Sequence, residues 1–199
     1  ALSSAESDRR LPLPETVFDR PSLLENWARQ IRAGEKSLLD SGTKPVGIVR
    51  DGRCAERRVA LTIDDGPHPL TTPLMLAVLR HYDVRATFFL VGQKAEEYPE
   101  LVRRIAAEGH EIGNHSYSHA RAHRLTAAET AAEVQACGQI IEDLTGHRTR
   151  YFRPPGGHIN EDGLRALASA QHTLVMWTNN SNDWRKLQPD VIAKSVINR

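Results

Sequence analysis

Two adjacent carboxylates and a pair of histidines are the side chains of this sequence best suited to chemistry. Asp64 and Asp65 follow an apolar run, and three residues separate His115 from His119. Two neighbouring carboxylates repel each other. A metal ion or an arginine would relieve that repulsion and hold both of them ionised at neutral pH. Histidines four positions apart can present both imidazoles to one ion. One of the two carboxylates would complete a two-His, one-carboxylate set, which suits catalytic Zn²⁺ and other divalent metals.

Each half of this set also has a simpler interpretation. An Asp in a tight turn commonly caps the helix that follows it, and an isolated pair of histidines is more often free of metal. The zinc-protease helix is a rival for the histidines, but it needs a Glu directly after the first His as general base. Ser116 occupies that position. The metal set is therefore a hypothesis that other segments must support.

Two later segments offer groups for the same site. Arg153 begins the run Arg-Pro-Pro-Gly-Gly, in which a guanidinium can orient a carboxylate and a backbone N–H can face a developing oxyanion. Asp183 and Trp184 offer an acid that can hold Arg153 and a ring that can stack on a sugar. Taken alone, the first segment is a loop of turn residues and the second is a weak signal.

The stretches between these segments alternate between strand and helix patterns. We predict strands over residues 59–63, 86–91, 111–114, 150–152 and 173–177, with a helix after each. Met75, Val78, Leu79 and Tyr82 mark one face of the first helix. The alternation predicts a parallel sheet covered by helices, open or closed into a barrel. Chemistry in such folds lies beyond the carboxyl ends of the strands, where all four segments fall.

Capping residues mark the starts of two predicted helices. Thr126 and Glu129 have the spacing of a capping box, which predicts the start of a long helix that ends near Gly146. Asn160 is a predicted N-cap for the helix that follows. We predict the last helix over Pro189–Ile197.

The composition argues against several classes of protein. Lys and Arg total 26 against 25 Asp and Glu, so no charge excess is present to hold nucleic acid or an acidic membrane surface. No apolar run approaches the roughly 20 residues of a membrane-spanning helix. The small residues of Ala1–Ala5 are consistent with a removed export signal or a fragment boundary.

The two cysteines have two interpretations. Cys54 and Cys137 can form a disulfide if the protein is exported. Cys137, however, shares helical spacing with the apolar residues Val134 and Ile141. This spacing favours a buried structural thiol.

The first 57 residues differ from the rest of the chain. Prolines flank one predicted helix in which Leu24, Trp27 and Ile31 share a face. We predict an N-terminal extension over residues 1–57 that packs on a main domain at 58–199.

The four chemical segments together resemble the motifs of the polysaccharide deacetylase family, carbohydrate esterase family 4. The resemblance runs from about Arg58 to Trp184 in the family's motif order. The usual Thr-Phe-Asp-Asp-Gly-Pro appears as Thr62 to Pro67, and the histidine motif appears as His115 to His119. The resemblance implies an α/β fold, a distorted or incomplete (β/α) barrel with parallel strands and outer helices. It also implies a secreted or cell-wall enzyme that removes acetyl groups from peptidoglycan or a chitin-like amino-sugar polymer.

The resemblance assigns a role to each motif residue. It implies that Asp64 is the general base. It also implies that Asp65, His115 and His119 bind a divalent metal, Zn²⁺ first with Co²⁺ or Ni²⁺ as alternatives. Among the supporting residues, Arg153 would position Asp64, and Asp183 would brace Arg153. The Gly156 amide would face the oxyanion, and Trp184 and Pro155 would contact the sugar.

The sequence departs from the family in three places. The family's general acid, a His in a Leu-x-His-like segment on a later strand, has no counterpart between Asp183 and Arg199. Ile63 replaces an aromatic residue, and Asn180 stands where an additional acid is common. A positioned general acid is worth about 10² to 10⁴ in rate, so we expect this chain to be a weak catalyst even with metal bound. The alternatives are a non-catalytic carbohydrate-binding protein and an O-acetyl xylan esterase.

Overall fold

A parallel sheet of six strands forms the frame of the molecule. The computed structural model describes residues 46–52 and 58–197. The spatial order is β1-β6-β5-β4-β3-β2, and every neighbouring pair is parallel. The strands are β1 (Ile48–Val49), β2 (Thr62–Gly66), β3 (Thr87–Leu90), β4 (Glu111–Asn114), β5 (Tyr151–Phe152) and β6 (Thr173–Val175). This architecture confirms the predicted α/β fold class, with the barrel open between β1 and β2 in the described part of the chain.

From β2 to β6, each strand is connected to the next through one or two helices, as is usual for parallel pairing. The helices are α1 (Thr71–His81), α2 (Gly92–Glu97), α3 (Pro99–Ala107), α4 (Ala127–Thr145), α5 (Glu161–Ser169) and α6 (Pro189–Ile197). Short 3₁₀ turns lie at Ala122–Arg124, Pro155–Gly157 and Asp183–Arg185.

The predicted helix signals at α4 and α5 are confirmed. Thr126 and Glu129 form both hydrogen bonds of the capping box, and α4 ends at Gly146, whose φ of 75° is left-handed. The Asn160 side chain accepts a hydrogen bond from the Gly163 amide at the start of α5. The bounds of α6 are also those predicted.

The structure differs from the predicted elements in three ways. The two-residue strand β1 and the polar helix α2 lack an apolar period of their own, so neither was predicted. The first predicted strand, residues 59–63, is observed as β2 from Thr62 to Gly66, so it includes the two acids. A register shift after Ile63 lets Gly66 pair with Leu90. Of the four residues predicted to share one face of α1, Met75, Val78 and Tyr82 are exposed and Leu79 is buried. Leu76 is the other apolar residue that α1 buries.

Helix α4 joins the two halves of the hydrophobic core. Val134 packs in a cluster with residues of β5, α5 and β6, whereas Cys137 and Ile141 pack in a second cluster with residues of α1, β3 and α3. Cys137 is a free, buried thiol, as its helical spacing predicted. It donates a hydrogen bond to the Leu90 carbonyl at 3.4 Å. Burial raises the pKa of this thiol to about 12.

Some predictions fall on residues outside the described ranges. These are the N-terminal helix with Leu24, Trp27 and Ile31, most of the proposed extension, and Cys54. Within the described residues, none of the helices has the length and apolar character that crossing a bilayer requires.

Candidate metal centre and active site

Three potential metal ligands converge at the carboxyl edge of the sheet. Asp65 lies near the end of β2, and His115 follows β4 directly. The Oδ1 atom of Asp65 is 3.2 Å from His115 Nε2 and 2.9 Å from His119 Nε2. One ligand atom from each of these residues lies within 4.8 Å of the others. The structure therefore brings together the three residues that the family resemblance implied as metal ligands.

The geometry and chemistry of this set fit a divalent cation. Ligand atoms about 2.0 to 2.1 Å from a tetrahedral zinc ion are about 3.3 Å apart, close to the two observed separations. His115 Nδ1 lies 2.7 Å from the Arg153 carbonyl oxygen, which can only accept, so Nδ1 carries the proton. The Nε2 atom of His115 is then the ring nitrogen that faces the Asp65 carboxylate, so a cation between the two would have a ligand atom from each residue. Metal-bound histidines commonly have such a backbone partner.

The electrostatics of Asp65 favour the charged carboxylate. Hydrogen bonds from His115 and His119 hold the pKa of Asp65 well below its usual range, and burial opposes them without prevailing. Asp65 is therefore ionised throughout the neutral range. Asp65 and His119 are also exposed, whereas His115 is buried, so the cluster opens to solvent on one side.

Asp64, the residue before Asp65, pairs with a buried arginine. Its Oδ1 lies 2.6 Å from Arg153 Nη1; the Arg153 side chain is 3% exposed and that of Asp64 is 31% exposed. The same nitrogen donates to Thr62 Oγ1 at 2.8 Å, and the ring of Phe89 lies 4.1 Å from the guanidinium carbon. Burial lowers the pKa of Arg153 and Asp64 opposes that shift, but an arginine stays charged in proteins.

Arg153 connects the two parts of the site. Its guanidinium donates to Asp64, while its main-chain carbonyl accepts the Nδ1 proton of His115. The remaining donors of the guanidinium bond to the carbonyls of Val175 at 3.3 Å and Met176 at 3.0 Å, at the end of β6. A buried planar group with this many fixed bonds holds its carboxylate partner in one orientation.

Asp183 does not brace Arg153 in this structure. Its carboxylate accepts from Ser181 Oγ at 2.7 Å, a local contact typical of short polar side chains in turns. The backbone carbonyls at the end of β6 occupy the bracing positions on the guanidinium instead. Trp184 beside it is 72% exposed, with its ring 5.8 Å from the Arg185 guanidinium carbon.

The turn after β5 carries the implied oxyanion donor. Gly156 is exposed at φ 69°, within a 3₁₀ turn closed by a 2.8 Å hydrogen bond from Gly157 N to Pro154 O. A Cβ atom at Gly156 would meet no atom within 4 Å, so the left-handed backbone and not crowding favours glycine there. Pro155 is buried beneath this turn.

Sequence reasoning missed one residue that contacts a metal ligand. Lys94 Nζ on α2 donates to the Asp65 carbonyl at 2.7 Å, and Asp65 has a left-handed φ of 67°. This bond helps to hold an unusual backbone conformation at the ligand. The two residues are far apart in sequence and α2 has no apolar period, so no local pattern indicated the contact.

Three other histidines have structural partners. His68 Nδ1 accepts from the amides of Leu70 and Thr71 at the start of α1. His110 Nδ1 accepts from the Ala86 amide, and His172 Nε2 lies 3.2 Å from Thr149 Oγ1. These contacts give each of the three a local role.

Comparisons with known proteins show which family this chain is similar to. The polysaccharide deacetylase family model matches residues 51–175. The peptidoglycan-N-acetylglucosamine deacetylase of Bacillus cereus is 39% identical over 175 residues, which are 87% of this chain and 64% of that protein. The chain thus spans less than two thirds of that relative's length.

Two solved structures share the fold. One is a crystal structure of a peptidoglycan N-acetylglucosamine deacetylase with a bound N-hydroxybenzamide compound. It has a TM-score of 0.75 and 34% identity, covering 81% of this chain and 74% of that one. A pseudoenzyme of carbohydrate esterase family 4 from Bacillus anthracis has a TM-score of 0.73 with 30% identity, covering 79% of this chain and 56% of that one. Because the family match covers more than half of the chain and the parallel fold agrees with it, this chain belongs to the polysaccharide deacetylase family, carbohydrate esterase family 4.

Proposed function

We propose that this chain is a metal-dependent deacetylase that hydrolyses N-acetyl groups of an amino-sugar polysaccharide and releases acetate. The observation that carries the proposal is the placement of Asp64, fixed by buried Arg153, next to the Asp65, His115 and His119 cluster. A general base beside a cation site is what hydrolysis of an unactivated amide needs. Peptidoglycan is the first candidate substrate, since a similar protein is a peptidoglycan-N-acetylglucosamine deacetylase.

The chain's own residues divide the work of this reaction. Asp65, His115 and His119 would hold a divalent cation, Zn²⁺ first and Co²⁺ or Ni²⁺ as alternatives. When bound, such an ion polarises the acetyl carbonyl and lowers the pKa of water towards about 7. Asp64 accepts the proton of the attacking water, and Arg153 keeps that carboxylate in place. As the C–N bond of the acetamide breaks, Asp64 returns this proton to the sugar nitrogen, which leaves a free amine and acetate.

Other residues act on the acetyl group and the sugar. The Gly156 amide donates to the oxyanion that develops on the acetyl oxygen. Exposed Trp184 is the proposed sugar contact, because an aromatic ring can stack on a sugar face. Pro155, the other residue implied for this role, is buried and supports the turn that carries Gly156. Asp183 sits beside Trp184 and shapes this turn through its bond to Ser181.

The proposed substrate also sets a place of action. Peptidoglycan lies outside the cytoplasmic membrane, so we propose an extracellular, periplasmic or cell-wall location. A polysaccharide or oligosaccharide is the proposed partner. The near balance of 26 basic and 25 acidic residues argues against nucleic acid.

A second candidate is a non-catalytic carbohydrate-binding protein with the same fold. The specific observation in its favour is the similarity to a family 4 pseudoenzyme at 30% identity. A protein of this kind would bind the sugar and release no acetate.

Acetate release separates the two candidates. We would incubate the chain with N-acetylated chitooligosaccharides and with peptidoglycan, adding Zn²⁺ or Co²⁺, and run a chelated control. The proposal predicts metal-dependent acetate, with less or none from an O-acetylated xylan. Sugar binding without acetate under all of these conditions would establish the second candidate instead.

A further inference from the structure

A carboxylate from a distant helix holds the segment between the two histidine ligands. We infer that Glu133, on α4, is a positioning residue of the metal centre that acts through the loop from His115 to His119. This inference rests on the proposed function, since it concerns the same cation site. Glu133 touches neither histidine, so its effect passes through the loop backbone.

Glu133 accepts three hydrogen bonds from two adjacent loop residues. Its Oε2 accepts from the amides of Tyr117 at 2.9 Å and Ser118 at 2.8 Å. Its Oε1 accepts from Ser118 Oγ at 2.8 Å. This one side chain therefore holds the amides of Tyr117 and Ser118, whereas the Ser116 amide donates to Asn114 Oδ1 at 2.9 Å.

The opposite side of the loop is fixed by a different helix. The carbonyls of Ser116 and Tyr117 accept from the first amides of α2, those of Gly92 at 3.0 Å and Gln93 at 2.9 Å. The loop therefore lies between donors on α2 and an acceptor on α4. Removing the acceptor would leave the amides of Tyr117 and Ser118, the two residues that precede His119, without their partner.

The loop needs this support because its backbone is unusual. Ser116 has a φ of 65° and His119 has a φ of 62°, values that residues with a side chain adopt rarely. Such conformations persist where the surrounding structure holds them. Glu133 binds the two residues that lie between these positions.

His119 is the ligand that depends most on the loop. His115 is buried and its ring is tied to the Arg153 carbonyl at 2.7 Å. The His119 side chain is 45% exposed; its ring contacts Asp65 and lies 5.2 Å from the ring of His115, and it has no backbone partner like that of His115 among the described residues. Loss of the Glu133 contacts should therefore move His119 away from Asp65 and His115 and weaken cation binding.

The test is cobalt binding by Glu133→Gln. Gln keeps the shape of Glu but places an NH₂ group against one of the loop donors. We expect the affinity for Co²⁺, measured by chelator competition, to fall about 10- to 100-fold, and the visible Co²⁺ absorption to change. Far-UV circular dichroism would verify that the metal-free variant is folded. Glu142→Gln, on the same helix, should bind Co²⁺ like the wild type.

A milder variant keeps the test decisive if Glu133→Gln fails to fold. Ser118→Ala removes the hydroxyl bond alone and should weaken Co²⁺ binding about 3-fold. Wild-type affinity and spectrum in a folded Glu133→Gln, or in Ser118→Ala if the first variant is unfolded, would overturn the inference. If the wild type itself binds no Co²⁺, the proposed metal centre fails and this inference fails with it.

Discussion

Arg153 is the residue on which the geometry of the site depends most. Its guanidinium holds Asp64, and its carbonyl orients His115, so one buried residue sets the positions of the base and of a metal ligand. The two tasks use different parts of the residue. A change of side chain therefore separates them, since the main-chain carbonyl remains.

We predict that Arg153→Lys impairs catalysis more than cation binding. A lysine has no planar fork, so it cannot bond Asp64 and the carbonyls of Val175 and Met176 at once. Misplacing a catalytic group by about 1 Å can cost about 100-fold in rate. We expect acetate release to fall by about that factor and Zn²⁺ affinity to change less than about 10-fold. Equal losses of both would contradict the separation.

The buried thiol of Cys137 gives a prediction about alkaline pH. Its pKa is raised from 9.0 to about 12 in the folded protein, so the unfolded chain releases this proton first. Between these values the folded state binds more protons, and stability falls as pH rises, by about 1.4 kcal/mol per pH unit from this group.

Urea unfolding of the wild type and Cys137→Ala at several pH values between about 8 and 11 measures this slope. The free energy of unfolding should fall more steeply for the wild type, because the variant lacks the ionisation. Parallel slopes would mean that the thiol ionises in the folded protein as it does in the unfolded chain.

Some contacts of the site were foreseeable at this scale and others were not. Asp65, His115 and His119 stand at strand ends in a recognisable motif, so their convergence could be predicted. Glu133 and Lys94 reach the same site from helices, without a spacing that relates them to it. The contact expected between Asp183 and Arg153 does not form; that carboxylate bonds Ser181, and the carbonyls of Val175 and Met176 bond the guanidinium.

At the scale of elements, α1 shows where apolar periodicity misleads. The helix has apolar residues on more than one face, so the pattern does not distinguish the buried face from the exposed one. Leu76 is fully buried, whereas Leu74 is 67% exposed. The packing in the structure, and not the sequence pattern, shows which face of α1 is buried.

A matched pair of substitutions tests the orientation of α1. Leu76→Ala should lower the free energy of unfolding by about 2 to 5 kcal/mol, because it opens a cavity in the core. Leu74→Ala should change it by less than about 0.5 kcal/mol. Chemical denaturation of both variants measures the difference. Similar losses would show that the helix packs with another face.

The elements with strong local signals were predicted well. The capping box at Thr126 and the left-handed Gly146 define both ends of α4, and Asn160 caps α5. Strand β1 has two residues and α2 is short and polar, so their existence depends on neighbours that are distant in sequence. Strand β1 forms because it pairs with β6.

At the scale of the whole molecule, the parallel sheet is what assembles the site. Strands β2, β4, β5 and β6 deliver Asp64, His115, Arg153 and the carbonyls that hold the guanidinium to one edge. Helix α2, which follows β3, places Lys94 against the Asp65 carbonyl. Parallel strands end at the same edge, so groups from distant parts of the sequence meet there.

The measurement that tests the account most directly is metal content together with acetate release for Asp64→Asn and Asp65→Asn. The two acids are neighbours in sequence, yet Asp64 pairs with Arg153 and Asp65 with the histidines. We predict that Asp64→Asn retains bound Zn²⁺ and loses acetate release, whereas Asp65→Asn loses both. Equal Zn²⁺ in the two variants, or acetate release by Asp64→Asn at the wild-type rate, would contradict the division of roles between these carboxylates.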